Sequence, residues 1–396
     1  MSVIERAEAA LAEDFAAIAR VRLANQRKVL AAFEACGIQP RHFTPTTGYG
    51  YSDEGRDLLG ELFARAFGAQ AGLVRPQFAS GTHALHCAAR ALYRGGVILS
   101  ASGTPYDTFL HCLQAGFPGA LEVLDMGPEG VDEAALAARV ARGGVGLVLL
   151  QRSRGYADRP ALSVEALERA AGVVKITAPD LPVLVDNCYG EFVQEREPVR
   201  GVDLCVGSLI KNPGGGLAPT GAYAVGTPTA VEAMADALVA PGLGLEVGSY
   251  AGSYLPFFQG LFAAPQVVAG ACMGAKLFAK TFQLLGFSAR PGAGEAGDLV
   301  CAVALGTPDR LRAVCRAVQA ASPVDSMAVP EDWDMPGYDE RVIMAAGTFV
   351  QGSSIELSAD GPMRAPYTAY VQGGLCYDHA KIALERVVAV AQGWGE

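Results

Sequence analysis

The spacing of apolar positions divides the chain into three stretches. From Ser2 to about Ala35, apolar residues recur at helical intervals among Glu5, Glu8, Glu13 and Asp14, which reads as an amphipathic surface helix rather than a signal peptide. The pattern breaks at CGIQPRHFTPTTGYGY, a loop by its glycine, proline and threonine content. A helix (GRDLLGELFARAFG) follows, and then AGLVRPQFASGTHALHCAARALY reads as strand, turn and helix. Beyond it the short apolar runs GGVILSA, ALEVLDM, VGLVLLQ, LPVLVDN, LCVGSLI and GAYAVG predict strands, and helical spacing returns around residues 107–115, 132–141 and 164–174. Strands alternating with helices predict an α/β fold with a mainly parallel sheet covered on both faces.

The character changes near Gly260. A long helix is predicted up to Leu285, GDLVCAVALG as a strand, PDRLRAVCRAVQAA as a helix, Val342–Phe349 and Ser354–Leu357 as strands, and a last helix from near Asp378 to Gln392. This describes a smaller α+β domain. The expected division is an N-terminal helical extension (1–45), a large domain (46–260) and a C-terminal small domain (261–396). The segment from Leu255 to Ala275 approaches membrane-spanning length, but Pro256, Gln259, Pro265, Gln266 and several glycines interrupt it, so a buried or interface segment is expected and no membrane.

Charge and cysteine content narrow the function classes. The net charge of −10 comes without a basic run, which argues against a nucleic-acid partner. The nine cysteines are scattered with no CxxC pair, as expected of reduced thiols in a cytoplasmic protein. The five histidines are dispersed, so no metal site is expected. Lysine is scarce, with only Lys28, Lys175, Lys211, Lys276, Lys280 and Lys381.

Ligands of open parallel sheets sit beyond the carboxyl ends of strands, and the informative residues fall there. The apolar strand in LPVLVDNCYGE ends in Asp186, a carboxylate that is expensive to bury unless a cation meets it. A protonated pyridine nitrogen qualifies, since two unit charges 4 Å apart interact by about 4 kcal/mol at an effective dielectric of 20. A salt-bridged structural aspartate is the plainer alternative. Lys211 follows CVGSLI and precedes NPGGG; partial desolvation at a strand end lowers a lysine's pKa and makes it an amine nucleophile, against the alternative of a solvated loop lysine. Ser80, Gly81 and Thr82 stand at a strand-to-helix turn suited to a phosphate, with Ser208 as a further hydroxyl. Tyr106, in a turn, suits stacking on a planar ring.

The order of these features, with the strings TGYGYSDEGRD, VRPQFASGTHAL, PYDT, QRSRGY, VDNCYGEF, GSLIKNPGGGLAPTGAY, SPVDS, WDMPGY, AAGTFVQGSSIELSADGP and YVQGGL, resembles fold-type I pyridoxal 5′-phosphate (PLP) enzymes. More closely, the chain resembles the methionine γ-lyase-like family, also called aluminium resistance or cystathionine β-lyase-like proteins, over roughly residues 45–380. The resemblance implies that Lys211 is the Schiff-base anchor and proton shuttle, that Asp186 pairs with the pyridinium nitrogen, that Tyr106 stacks on the ring, and that Gly81, Thr82 and Ser208 hold the phosphate. It implies a loop carrying Tyr51 and Arg56 that reaches a neighbouring subunit's cofactor, in dimers with shared active sites or in tetramers. Arg364 and Ser353 are the candidates for the substrate carboxylate, arginine through its bidentate fork. The implied activity is elimination of a β- or γ-substituent, a thiol above all, from methionine, cystathionine or cysteine; the alternative is γ-elimination or replacement on a non-sulfur amino acid such as a γ-halo amino acid.

Three departures stand out. The wider lyase group carries an arginine two residues after the loop tyrosine, where this chain has Asp53, so Arg56 is expected to substitute. A hydroxyl residue usually precedes the lysine, where this chain has Ile210. The string GLEVGSYAGSYLPFFQGLFAAPQVV is atypical and is expected to shape the substrate pocket. Other functions fit less well. Ser208 and Lys211 match SxxK, but the companion S-D-N and K-T-G strings of serine acyl-transferases are missing. No GxGxxG follows the first strand, as a nicotinamide dehydrogenase requires, and a non-catalytic relative would be expected to lose Lys211 or Asp186.

Overall fold

The structure is a computed structural model that describes residues 1–127, 130–157, 159–292, 295, 297–335 and 338–394. Two residues of the WDMPGY string, 336 and 337, lie outside the described residues.

The N-terminal helical stretch is two helices, α1 (Val3–Ala10) and α2 (Ala12–Cys36). Ser2 and Glu5 form a capping box on α1, and Leu11 leaves helical geometry to bury its side chain, which breaks the run. After α3 (Glu54–Phe67) the chain alternates: β1 (Ala71–Arg75), α4 (Gly81–Leu92), β2 (Val97–Ser100), α5 (Asp107–Gly116), β3 (Leu121–Val123), α6 (Glu133–Ala141), β4 (Val145–Gln151), α7 (Val164–Thr177), β5 (Val183–Asp186), β6 (Leu204–Ser208), β7 (Ala222–Gly226) and α8 (Pro228–Leu238). The seven strands form one sheet in the order β1-β7-β6-β5-β4-β2-β3. All run one way except β7, which is antiparallel to both β1 and β6. One face is buried under residues of α3, α7 and α9 (Leu255–Leu284), the other under α4, α5 and α8. Covering on both faces explains why these strands read as continuous apolar runs.

The remaining elements are β8 (Ser288–Arg290), β9 (Val300–Ala304), α10 (Pro308–Ala320), β10 (Val342–Ala345), β11 (Ser358–Pro362), β12 (Thr368–Gln372) and α11 (Tyr377–Ala391). They build an antiparallel sheet, β10-β11-β12-β9-β8, backed by α10 and α11. The 30-residue α9 runs through both cores: Phe257 to Cys272 pack with the large sheet and Ala275 to Phe282 with the small one. It is long and apolar enough to cross a membrane, but 72% of its most apolar window is buried inside the fold.

Two predicted strands move. Val342–Phe349 shortens to Val342–Ala345, and the strand expected at Ser354–Leu357 forms instead over Ser358–Pro362. The cause is Glu356. Its buried carboxylate accepts the N–H groups of Phe349 (2.8 Å) and Val350 (2.9 Å) and folds SSIEL back on to the preceding loop. Ladder pairing then begins only at Ser358, in a string polar enough to read as a turn.

Candidate active site

Four strands of the large sheet end side by side in polar residues: β2 in Ser100, β4 in Gln151, β5 in Asp186 and β6 in Ser208. Beyond them lies a cavity of about 500 Å3. Its wall brings together Ser80, Gly81, Thr82, Tyr106, Asp186, Ser208, Lys211, Ser353 and Arg364, all of them candidates from the sequence.

The anion-binding corner is the N-terminus of α4. Ser80 caps that helix, its Oγ accepting the N–H of His83 at 3.0 Å. Gly81 follows, and a Cβ there would stand 3.2 Å from Cβ of Ser208 and 3.9 Å from Sγ of Cys188. The missing side chain therefore keeps open the space between a helix N-terminus and the β6 hydroxyl, which fits a phosphate. Thr82 and Tyr106 share a hydrogen bond of 3.0 Å between their hydroxyls. Tyr106 is held further by its own N–H, which donates to Oε1 of Gln151 (3.1 Å), and by Phe109, stacked at 5.8 Å. Gly155, at φ +57°, lies so close that its Cβ would be 3.3 Å from that of Tyr106, which accounts for the glycine in QRSRGY.

Asp186 is buried and accepts the N–H of Cys188 at 3.1 Å. Burial pushes its carboxyl up, and the positive charge of Lys211 is the largest influence in the other direction. Lys211 lies with Nζ 4.1 Å from the centre of the Tyr189 ring. Burial favours its neutral amine, but the sulfur, phenol and carboxylate oxygens of Cys188, Tyr189, Tyr106 and Asp186 that surround it act the other way and move it above the ordinary lysine range, Asp186 being the one that is an anion at neutral pH. This corrects the expectation that desolvation lowers it. Burial also pushes the Tyr106 hydroxyl well up, so it stays protonated.

Tyr51, Arg56 and the atypical segment lie elsewhere. Arg56 is buried, donating to the Gly50 carbonyl (2.8 Å) and to Asp57 (2.9 Å). It therefore braces the loop from inside and does not project from it, which corrects the role expected for it. Asp53 anchors the same loop by accepting from Thr46, from the N–H of Arg56 and from the Tyr254 hydroxyl. Tyr49 and Tyr51, 5.5 Å apart, face outward and are 73% and 58% exposed. No residue of 244–268 is in the cavity wall, contrary to expectation. The segment instead holds this loop: the Gly248 N–H donates to the Tyr49 carbonyl and the Ser249 hydroxyl to that of Gly48.

Arg364 is half exposed and donates to both oxygens of Glu340 at 2.8 Å. Arg154, which sequence reasoning passed over, lines the same cavity fully buried. It meets Glu295 at 3.4 Å, and its Nε has no hydrogen-bond partner among the described residues. Cys188, Tyr189 and Asp360 were missed as well; only VDNCYGEF and SSIELSADGP, as strings, pointed toward them.

The sequence profile of the family described as methionine gamma-lyase matches residues 1–392. The chain belongs to that family. It is 44% identical over 374 residues to the uncharacterized protein YnbB of Bacillus subtilis, spanning 91% of this chain and 89% of that one. A solved structure from Listeria monocytogenes, a candidate cystathionine beta-lyase involved in aluminium resistance, is 40% identical, with a TM-score of 0.93 over 98% of both chains. The pyridoxal-5′-phosphate-dependent protein YhfS of Escherichia coli, at 16% identity and a TM-score of 0.64, covers 94% of this chain and 97% of its own and shares the fold-type I architecture. The residues present fit that cofactor: a cradle at Gly81, an acid at the end of β5, an aromatic ring and a lysine, all around one cavity. Among the described residues no three His, Cys, Asp or Glu side chains gather to hold a metal ion.

Proposed function

We propose that the protein is a PLP-dependent lyase that eliminates a β- or γ-substituent, a thiol above all, from a sulfur-containing amino acid such as methionine, cystathionine or cysteine. The observation that carries this reading is the convergence of Lys211, Asp186 and Tyr106 on one cavity beside the Gly81 cradle.

Bound there, the cofactor supplies an electron sink for charge developing at the substrate's α-carbon. Gly81, Thr82 and Ser208 would hold its phosphate, Asp186 its ring nitrogen, Tyr106 one face of its ring and Lys211 its reactive carbon. The reaction needs Lys211 as a neutral base. Asp186, the acid among the groups that keep Lys211 charged, is also the group placed to pair with the ring nitrogen. Lys211 Nζ then takes the proton from Cα. In β-elimination the carbon–sulfur bond breaks with its electron pair going to sulfur. In γ-elimination Lys211 takes a second proton, from Cβ, before that bond breaks. Tyr106, kept protonated by burial and oriented by Thr82, donates a proton to the departing sulfur.

The same reading includes a homodimer with shared active sites, assembled further into a tetramer. Its support is the Tyr49–Tyr51 loop, braced from inside by Arg56 and Asp53 yet presenting two aromatic rings to solvent. Exposed, rigidly held aromatics are typical of interface anchors.

The test is spectroscopic. Protein loaded with PLP should show a visible band that borohydride abolishes, leaving the cofactor on the Lys211 peptide by mass spectrometry. It should release thiol and ammonia from a sulfur amino acid, and Lys211→Ala should do neither. A missing band after addition of PLP removes the mechanism.

A further inference from the structure

The small-sheet wall of the cavity carries a group that the chemistry above does not use. Asp360, on β11, faces the cavity and is only 5% exposed. Gln372 Nε2 donates to its Oδ2 at 3.3 Å, and the Tyr156 hydroxyl interacts with the carboxyl group. Oδ1 is buried with no hydrogen-bond partner among the described residues. A carboxylate left in that state is costly compared with one paired with a cation.

Among the described residues none supplies such a cation. Among the described residues no lysine or arginine pairs with Asp360, and the groups acting on Lys211 are Cys188, Tyr189, Tyr106 and Asp186. Arg364, on the turn after β11, already holds Glu340. What surrounds Asp360 is aromatic. Tyr156 lies 4.8 Å from Tyr370 and 5.7 Å from Tyr338, centre to centre, and Tyr189 closes the side toward Lys211. An unpaired carboxylate among phenol rings complements an ammonium group, which gains a charge-assisted hydrogen bond and the electron-rich ring faces. The substrate's α-amino group is not that ammonium, because it must approach Lys211, whose main neighbours are Cys188, Tyr189, Tyr106 and Asp186, with the Tyr189 ring standing between Lys211 and Asp360.

We propose that Asp360, with Tyr156, Tyr338 and Tyr370 around it, is the subsite for a second ammonium group, carried on the departing part of the substrate. The preferred substrates are then amino acids whose leaving thiol bears an amine. This rests on the lyase reading above. Burial pushes the Asp360 carboxyl up to about 7, opposed by Tyr156. The titratable groups facing it are Tyr156, Tyr338, Tyr189 and its cross-strand neighbour Tyr370, with Cys315 of α10 behind the strand; burial pushes Tyr156, Tyr338, Tyr189 and Cys315 up, so these stay protonated through neutral pH. Asp360 is therefore the group that ionises there, and preference for the amine should strengthen as pH rises through about 7.

The experiment compares S-(2-aminoethyl)cysteine with its neutral isostere S-propylcysteine, and the corresponding homocysteine thioethers, on PLP-loaded wild type, Asp360→Asn and Asp360→Glu. Thiol release gives kcat and KM, and perturbation of the cofactor absorbance gives Kd. Wild type should favour the amine by roughly tenfold or more, the effect of one charge-assisted hydrogen bond, chiefly in KM and Kd. Asp360→Asn should erase that preference and Asp360→Glu restore part of it. A preference for the neutral thioether, or one that survives Asp360→Asn, overturns the proposal. If no variant folds and loads cofactor, the wild-type pH profile decides: a preference that is flat between pH 6 and 8 overturns the subsite, and one that grows supports it. If wild type cleaves neither these compounds nor methionine, cystathionine or cysteine, yet binds the amine with Asp360-dependent affinity, the lyase reading fails and the subsite stands.

Discussion

Lys211 Nζ sits 4.1 Å from the centre of the Tyr189 ring, and Tyr189 holds that position with a backbone φ of +69°. A non-glycine residue there costs on the order of 1–3 kcal/mol and persists only where the surroundings impose it. Here the strain places an aromatic face under the lysine, three residues beyond the acid that ends β5. A partly desolvated cation–π contact is worth about 1–2 kcal/mol. Tyr189→Phe, which keeps the ring, should retain turnover within about threefold. Tyr189→Leu should lose roughly tenfold or more and lower the pH at which free Lys211 gives up its proton. A pH titration of Lys211 labelling by an amine-directed reagent checks this. An unchanged profile in Tyr189→Leu would assign the strained backbone to packing alone.

Gly81 is a second place where the missing atom is the point. A Cβ at 3.2 Å from Ser208 is tighter than an ordinary contact and projects into the proposed phosphate corner. Gly81→Ala should weaken PLP by roughly tenfold, and Gly81→Val by a hundredfold or more, as one and then several phosphate contacts are displaced. Melting temperature should change little, because α4 keeps its Ser80 cap. Absorbance titration with PLP beside a thermal melt separates the two effects.

Among the described residues two arginines, Arg154 and Arg364, line the cavity, and their surroundings rank them. Arg364 is half exposed with both Glu340 oxygens already engaged, while Arg154 is buried with an unpartnered Nε. Arg154→Met should raise KM for every amino-acid substrate by roughly ten- to a hundredfold, the loss of a charge-assisted bond to the carboxylate. Arg364→Met should raise it by about threefold or less, as befits an exposed ion pair. Steady-state kinetics on one substrate suffice, and the reverse ranking would return the carboxylate to Arg364.

Much of this site was readable because its residues end apolar strands. Asp186 and Ser208 are the final residues of β5 and β6, Lys211 follows three positions later, and the two faces of the sheet are covered, so each strand reads as an unbroken run that stops where chemistry begins. The small-sheet contribution was hidden for the opposite reason. Asp360 lies in SADGP, a string with no apolar alternation, which becomes a strand only because Glu356 ties the preceding residues to Phe349 and Val350. Arg56 was misplaced because a loop position says nothing of direction; Gly50 and Asp57 turn it inward. Arg154 needs the third dimension, since nothing in QRSRGY shows which of its two arginines lines the cavity.

The behaviour of Glu191 with pH gives a test of the fold that is independent of turnover. Its carboxyl is buried at the back of the site; Oε1 accepts the Tyr223 hydroxyl at 2.9 Å, and Oε2 has no hydrogen-bond partner among the described residues. Burial, reinforced by Glu197 and opposed by Tyr223 and Lys211, pushes it up to about 8. An unfolded glutamate ionises near 4.3, so between there and about 8 the folded chain binds more protons than the unfolded one. Stability from this group must therefore fall as pH rises across that window and level off above it, by roughly 5 kcal/mol in all, at 1.36 kcal/mol per pKa unit. Glu191→Gln cannot ionise and should remove that slope, matching wild type near pH 4 and becoming increasingly more stable than it as pH rises toward about 9. Urea melts of both proteins at a series of pH values decide it: parallel curves would mean that Glu191 is already ionised in the fold and that Lys211 or Tyr223 compensates its charge.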